Sequence, residues 1–526
     1  MGMYLNPPKS IFSKYLKARI FVDKSDIFRH LNAWCESYDG YICLTRPRRF
    51  GKSMMTDMIA AYYGLDHDSH DIFDGLKVAK IDAYAQYINR YAVVSFDAQS
   101  FRDNVENPLD FVPSIHERIG SEFRARWPEW TDSTMTLPRI MQEVYAHTGT
   151  QFVVLIDEWD SIFRRDKNNT AACKAWVQFL RSMFKSAEAR SYLALAYITG
   201  ILPIKKYDVE SSLNVFSEYT ILDTHPLEPY FGFTEEEVAA LCAQYQMNLN
   251  EIMRWYDGYR LAPHISVCNP KSVVESMMRH DFNVYWSQTG SFDVVMDYVN
   301  MNFDGLHDAI SQVLMGCRVR VDPIGFNTSL ELRDRDDVLT ALIHLGYLAF
   351  DKGTKTIRVP NEEIRQVLQS AVTKSGWKNV MENIRRSRDF MDAIECGDAR
   401  EAASLLESIH DALSVPLHYH SEGDLTATLL HACYVARENY LFYREIPSSR
   451  GYADLILAPT MVHAHRPIIF ELKLDTSTDS AIRQILQRRY FDTPVLKNYH
   501  GDVLTVAMMY DRKDKQHRCA IETMTI

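Results

Sequence analysis

Four short apolar runs constrain this chain more than any other feature: Tyr41-Ile-Cys-Leu-Thr45, Tyr91-Ala-Val-Val-Ser-Phe96, Phe152-Val-Val-Leu-Ile156 and Tyr192-Leu-Ala-Leu-Ala-Tyr-Ile198. Each is apolar on consecutive residues, and longer helical patterns separate them. A strand covered on both faces reads this way, and strands joined by helices pair in parallel. The expectation is an α/β domain: a parallel sheet with helices on both faces.

From about Thr234 to His410 the pattern is mostly helical. Thr234 and Glu237 have the spacing of a capping box, and a β-rich piece near Gly346–Phe350 and Thr356–Val359 predicts a small hairpin. After Glu422 the pattern changes again, to a helix near 423–437, strands near 440–445, 452–458 and 467–473, a helix near 478–490, and strands near 503–510 and 517–523. This predicts three regions: the α/β domain over 1–230, a helical lid or connector over 231–410, and a compact second α/β domain over 411–526. With 46% hydrophobic and 24% charged residues, the composition excludes a disordered or collagen-like chain. No apolar run is long enough to span a bilayer, and the first residues lack a signal-peptide pattern. Nine cysteines without a CxxC pair read as reduced thiols, so the expected location is the cytoplasm, with no membrane partner. A net charge of −11 gives no global basic footprint for nucleic acid, while leaving room for a local one.

The segment Leu44-Thr-Arg-Pro-Arg-Arg-Phe-Gly-Lys-Ser53 follows the first strand and opens a helical pattern. Its tail fits the end of a P-loop, G-x-x-x-x-G-K-[ST]. Arg48, Arg49, Phe50, Gly51, Lys52 and Ser53 form the candidate nucleotide cradle. Gly51 would admit a phosphate close to the backbone, Lys52 would reach the β- and γ-phosphates, and Ser53 would hold Mg²⁺. The first glycine of the pattern is replaced by Arg46, so a different turn leads into the loop. Phe152-Val-Val-Leu-Ile-Asp157-Glu158 ends a buried strand in two acids. Asp157 is the candidate Mg²⁺ ligand, and Glu158 the residue that polarises the attacking water. Thr199, ending the next strand, is placed to sense the γ-phosphate. A basic turn plus a strand-ending acid pair without nucleotide is the plainer alternative.

In the last region, Gly451-Tyr-Ala-Asp454 and Pro467-Ile-Ile-Phe-Glu471-Leu-Lys473 lie on consecutive predicted strands. Residues i and i+2 share a strand face, so Glu471 and Lys473 project together. With Asp454 on the neighbouring strand they would hold Mg²⁺ or Mn²⁺ and place an ammonium beside a scissile phosphate. Glu and Lys alternating on a solvated strand face would read the same way. Arg483, Arg488, Arg489 and Lys497 would either contact phosphates or form a solvated helix face. The pairs His418/His420 and His463/His465 lack a completing ligand set and read as surface residues, and Trp255-Tyr-Asp-Gly-Tyr259 reads as a packed turn.

These segments, with Phe21-Val-Asp-Lys24, Thr199-Gly200, Trp255-Tyr-Asp-Gly-Tyr259, Asn269-Pro270 and Leu345-Gly-Tyr347, resemble the bacterial AAA-ATPase-like proteins that carry a C-terminal PD-(D/E)XK nuclease-superfamily domain. The resemblance covers nearly the whole chain. It implies a P-loop ATPase fused to a restriction-endonuclease-like α/β domain, with ATP and Mg²⁺ (or Mn²⁺) as cofactors and DNA as substrate. Within it, Asp454, Glu471 and Lys473 match the D…(D/E)xK core, with Ala453 standing where proline is usual. Gln484 and Tyr490 resemble the superfamily's additional helix motif, and Glu422 is the candidate further acid from the upstream helix. The expected activity is DNA phosphodiester hydrolysis gated by ATP, in a chain that would also self-assemble. The alternative is an ATP-operated switch or sensor whose last domain binds nucleic acid or protein without cutting.

Overall fold

The computed structural model describes residues 2–166, 168–204, 213–262, 264–286, 298, 301, 303–314, 316–323, 326, 332–374, 378–413, 422–448, 451–460, 465–497 and 499–526. His418, His420 and His463 lie outside them. The chain divides into two compact units, Met1–Leu306 with Arg320–Val367, and His307–Val319 with Leu368–Ile526. The stretch expected as a connector over 231–410 is therefore shared between the two.

In the first unit the apolar runs form β1 (Tyr41–Thr45), β2 (Ala92–Asp97), β3 (Phe152–Asp157) and β4 (Leu193–Gly200). A short β5 (Ser217–Tyr219), too brief and polar to signal itself, completes a sheet of order β2-β3-β4-β1-β5. Every pairing in it is parallel. Burial on both sides explains the unbroken apolar runs. Phe152, Val154 and Ile156 pack with the helices Phe111–Arg126, Leu137–Thr148 and Thr170–Phe184. Val153 and Leu155 face Met55, Met58 and Ile59 of the helix Lys52–Tyr63. This is a P-loop NTPase-like α/β arrangement, and the alternation places Asp157 on the side of the Lys52–Tyr63 helix.

The rest of the first unit is helical, but it also holds an unforeseen antiparallel sheet of β6 (Phe233–Thr234), β7 (Tyr259–Ala262) and β8 (Ile265–Cys268), in order β6-β8-β7. The Thr234–Glu237 capping box is present, and Glu237 also receives the buried Lys24 ammonium at 2.6 Å. A two-residue strand, β9 (Val319–Arg320), precedes the hairpin of β10 (Ala349–Asp351) and β11 (Thr356–Arg358).

The second unit carries a mixed sheet of β12 (Tyr440–Ser448), β13 (Gly451–Pro459), β14 (Ile468–Leu474), β15 (Asp502–Asp511) and β16 (Gln516–Thr525), in that order. Only β14 and β15 run parallel. Ile468, Phe470 and Leu472 pack with apolar residues of the helices Lys378–Cys396, Ala399–Leu413 and Glu422–Ala432. On the opposite face, Ile469 packs with Ala481, Ile482 and Ile485 of the helix Thr478–Gln487. Glu471 and Lys473 follow Ile469 on that second face. Among the described residues no helix is long and apolar enough to cross a membrane.

Candidate functional site

Two sites take shape, one in each unit. In the first, residues 46–51 connect β1 to the helix starting at Lys52. Gly51 has φ +87°, and a β-carbon there would meet nothing within 4 Å. Backbone conformation, not crowding, calls for glycine at this position. The unpaired N–H groups of the helix's first turn then face the loop, an arrangement suited to phosphate. Lys52 Nζ donates to the carbonyls of Arg46 (3.2 Å) and Pro47 (3.1 Å), which holds the ammonium over the loop.

Arg46 does not point into this cradle. It is 1% exposed, and its Nη1 donates to the Thr45 carbonyl at 2.8 Å and to the Tyr219 carbonyl at 3.0 Å, tying β1 to β5. Its guanidinium lies over the Phe231 ring at 5.4 Å, while Nε and Nη2 have no hydrogen-bond partner among the described residues. Burial lowers its pKa to about 10. Phe50 is also turned away: its ring meets Tyr259 edge-on at 5.2 Å. Only its backbone N–H is left for a ligand. Arg49 is exposed, with φ +69°, and Arg48 is half-buried near Glu158 and Arg164.

Asp157 and Ser53 come together as the sheet alternation requires: Ser53 Oγ donates to Asp157 Oδ2 at 2.5 Å. Burial, followed by the adjacent Glu158 charge, raises the Asp157 pKa to about 6, with the Ser53 bond opposing. A buried carboxylate beside a hydroxyl suits a hard cation, so these residues fit the Mg²⁺ of a bound nucleotide. Glu158 takes a left-handed φ of +49° as β3 ends. Its carboxylate accepts from Arg164 and lies 3.8 Å from Lys52. Burial alone would raise its pKa, but Lys52, Arg164 and Arg48 together outweigh this and hold it below the usual value. Thr199 is buried, and its hydroxyl has no hydrogen-bond partner among the described residues.

Sequence reasoning missed Asp160. Fully buried, it accepts the backbone N–H groups of Ile201 (3.2 Å) and Leu202 (3.0 Å), fastening the turn after β3 to the end of β4. Gly200 permits this closeness, since a β-carbon there would lie 2.7 Å from Asp160 Oδ1. The available signal was a third acid in Asp157-Glu-Trp-Asp160. Of the three arginines near this motif, Arg164 pairs with Glu158 and Asp160, Arg165 pairs with Asp103, and Arg181 is exposed.

In the second unit, β13 and β14 pair over Leu455–Leu457 and Ile468–Phe470. Beyond that point the Asp454 side chain takes a ladder position, its Oδ2 accepting the Leu472 N–H at 2.7 Å. Asp454 thus lies beside Glu471. Lys473 Nζ is 2.8 Å from Glu471 Oε1, which also accepts from Gln484 Nε2. Gln484 in turn donates to the hydroxyl of buried Tyr490 at 3.0 Å. Glu471 is fully buried, and its Oε2 lacks a hydrogen-bond partner among the described residues. Burial first, and then the Asp454 charge, push its pKa up to about 7 against the pull of Lys473. Two adjacent carboxylates with an unsatisfied oxygen fit a divalent cation. Glu422 begins the helix Glu422–Ala432, but its side chain lies outside the described residues. Among the described residues no group of three or more His, Cys, Asp or Glu is arranged to hold a metal.

The Glu471 shift has a consequence for stability. Between the ordinary carboxyl value of 4.5 and about 7, the folded state binds the proton that the unfolded state has released. Stability from this group is therefore complete below the lower value and declines as pH rises through that window, by roughly 3 kcal/mol. Glu471→Gln is expected to flatten the decline and to be the more stable protein at pH 8 by about 2 kcal/mol, measured as urea midpoints of the second-unit transition at pH 5 and pH 8.

Residues 12–210 match a family model described as AAA-ATPase-like, predicted AAA-ATPase. A curated relative, "Uncharacterized protein in vnfD 5'region" from Azotobacter chroococcum mcd 1, is 26% identical over 267 residues. The match covers 48% of this chain and 48% of that protein, so the chain spans about half the length of the relative. Solved structures with some similarity include the Aeropyrum pernix ORC2 protein in ADPNP–ADP complexes (TM-score 0.35, 11% identity, covering 67% of this chain and 93% of that one). Another is Cdc6p from Pyrobaculum aerophilum (TM-score 0.27, 10% identity, 70% and 99%). A third is the Aeropyrum pernix ORC1 protein in complex with DNA (TM-score 0.25, 12% identity, 72% and 99%). The phosphate-loop geometry thus lies within the stretch, residues 12–210, that is similar to the AAA-ATPase-like family.

Proposed function

We propose that this chain is an ATP-hydrolysing protein with a metal-dependent DNA phosphodiesterase domain, in which ATP binding or turnover gates nuclease access or assembly. The hydrolytic half rests on one observation: Asp454 accepts the Leu472 N–H beside the Glu471–Lys473 pair, and a buried Glu471 oxygen is unsatisfied among the described residues. A bound Mg²⁺ or Mn²⁺ would polarise the scissile phosphate and acidify a water molecule. Asp454 and Glu471 supply the oxygens that hold the ion, and Gln484 fixes the Glu471 carboxylate. Lys473 orients the water and offsets charge growing on the phosphoryl oxygens.

In the first unit, the loop backbone and Lys52 receive the β- and γ-phosphates. Glu158 orients the attacking water once phosphate draws Lys52 and Arg164 away from it. Lys52→Ala is expected to weaken ATP binding at least tenfold, the scale of a lost charge-assisted contact, as read by fluorescent-nucleotide titration.

Incubation of the full chain with plasmid DNA and Mg²⁺ or Mn²⁺, with and without ATP, tests the proposal. Nicking or linearisation that disappears in Asp454→Ala and Lys473→Ala supports it. Cleavage that survives both substitutions moves the chemistry elsewhere. The second reading, an ATP-operated switch that binds without cutting, is favoured by the Glu471 carboxylate, whose Oε1 is already engaged by Lys473 and Gln484. Binding without cleavage in either metal would select it.

A further inference from the structure

We propose that Arg46 and Glu228 form a relay that reports an occupied phosphate loop to the helical part of the first unit. Phosphate draws Lys52 off the Arg46 carbonyl, and the guanidinium then takes the Glu228 carboxylate. The relay rests on the nucleotide reading proposed above. It goes beyond that reading by giving a role to the arginine that stands where a P-loop has its first glycine.

The guanidinium of Arg46 is only half used. Its Nη1 donates to the carbonyls of Thr45 and Tyr219, which fixes one side of the group. Nε and Nη2 make up the other edge, the one that matches a carboxylate with two parallel hydrogen bonds. Both are buried without a hydrogen-bond partner among the described residues. With its pKa at about 10 the group stays charged at neutral pH, so an empty fork is costly.

An acid that can fill the fork lies close by. Phe231, under the guanidinium at 5.4 Å, directly follows the short turn Glu228–Tyr230. Glu228 is buried too, and its charge reaches Arg46. Among the described residues its carboxylate is bonded by His225 Nδ1 alone, at 3.2 Å, and the His225 side chain is 85% exposed. A contact so open to water holds little, so Glu228 can change partner cheaply.

The turn can pivot but not leave, because Lys24 Nζ donates to the Pro229 carbonyl and to Glu237, each at 2.6 Å. From Phe231 the chain runs through Gly232, with φ +93°, into β6 and the helix Glu235–Tyr245. A pivot at Glu228 therefore passes straight into the helical part. At the other end of the relay, Lys52 Nζ donates to the Arg46 and Pro47 carbonyls. An ammonium engaged by phosphate gives up those bonds and frees the Arg46 backbone.

The test is titration of the full chain with N-methylanthraniloyl-ATP in Mg²⁺, beside the urea midpoint of the nucleotide-free protein. Arg46→Met and Glu228→Gln are each expected to weaken binding about tenfold. The double variant should lose no more than either, because both changes remove one pair. Arg46→Lys keeps the charge without the fork and should bind like Arg46→Met. Glu228→Gln should leave the urea midpoint unchanged, whereas loss of a merely structural contact would lower it. Hydrogen exchange over residues 228–245 should slow on adding the analogue to wild type and not in Glu228→Gln. Should Arg46→Met fail to fold, Glu228→Gln and the exchange readout decide alone. A buried water joining Arg46 to the nearby Tyr197 hydroxyl, itself unpartnered among the described residues, would also satisfy the fork. Glu228→Gln would then bind as wild type does, and that result, additive losses in the double variant, or an unchanged exchange response overturns the relay. Wild type that takes no nucleotide removes the nucleotide reading and the relay together. Binding lost in Lys52→Ala but indifferent to Glu228→Gln removes the relay alone.

Discussion

Lys473→Ala is expected to lower metal-dependent DNA cleavage by about 10²–10³-fold, the range seen when one preorganised charge-stabilising donor is removed from a hydrolytic site. The ammonium sits 2.8 Å from Glu471 Oε1, and Asp454 on the neighbouring strand accepts the Leu472 N–H. Its loss also lets the Glu471 carboxyl, raised to about 7 even with Lys473 present, hold its proton more firmly. Activity lost for that reason would be partly restored at higher pH. Activity lost because water is no longer oriented would not, so the pH–rate profile of Lys473→Ala separates the two. Asp454 needs a different comparison, because its carboxylate also completes the sheet at Leu472. Asp454→Asn keeps an acceptor for that N–H, whereas Asp454→Ala removes it. Equal loss of cleavage in both, with a lower melting temperature only in the alanine variant, would assign the charge to chemistry and the acceptor to the ladder.

Glu158→Gln is expected to leave ATP binding within about twofold and to reduce turnover by about 10²–10⁴-fold, the contribution of a positioned general base. Single-turnover hydrolysis beside a binding titration measures both. The carboxylate is held ionised by Lys52, Arg164 and Arg48, so it is charged at neutral pH, yet the Arg164 pairing occupies the oxygen that would meet water. Arg164→Ala removes that competitor. It is expected to retain binding and to change turnover less than Glu158→Gln does, because Asp160 still anchors the neighbouring turn through Ile201 and Leu202.

The sheet of the first unit was legible because burial on both faces leaves a plain mark: unbroken apolar runs separated by helical patterns. The order of strands and helices in the second unit was legible for the related reason that turn residues and alternation delimit each strand. The register that sets Asp454 beside Glu471 follows from strand pairing, and sequence spacing could suggest it but not fix it. The sheet β6-β8-β7 went unread because its strands are only two to four residues long. Asp160 was hidden because it accepts backbone N–H groups just beyond the end of β4, and backbone leaves no trace in residue type. Arg46 was legible as a departure from the glycine pattern. That its side chain would leave the loop and bind a β5 carbonyl was not, since β5 itself was unread.

The ring of Phe50 ties the phosphate loop to residues far along the chain. Phe50 packs on Tyr259, the Tyr259 hydroxyl donates to the Gly346 carbonyl at 2.7 Å, and Gly346 lies against Pro47. Anyone trimming the protein to residues 12–210 for expression would delete β5 and strip the cover from that ring. Such a fragment should come out insoluble or fail to retain nucleotide, whereas a version extending through Val367 keeps the loop's whole setting.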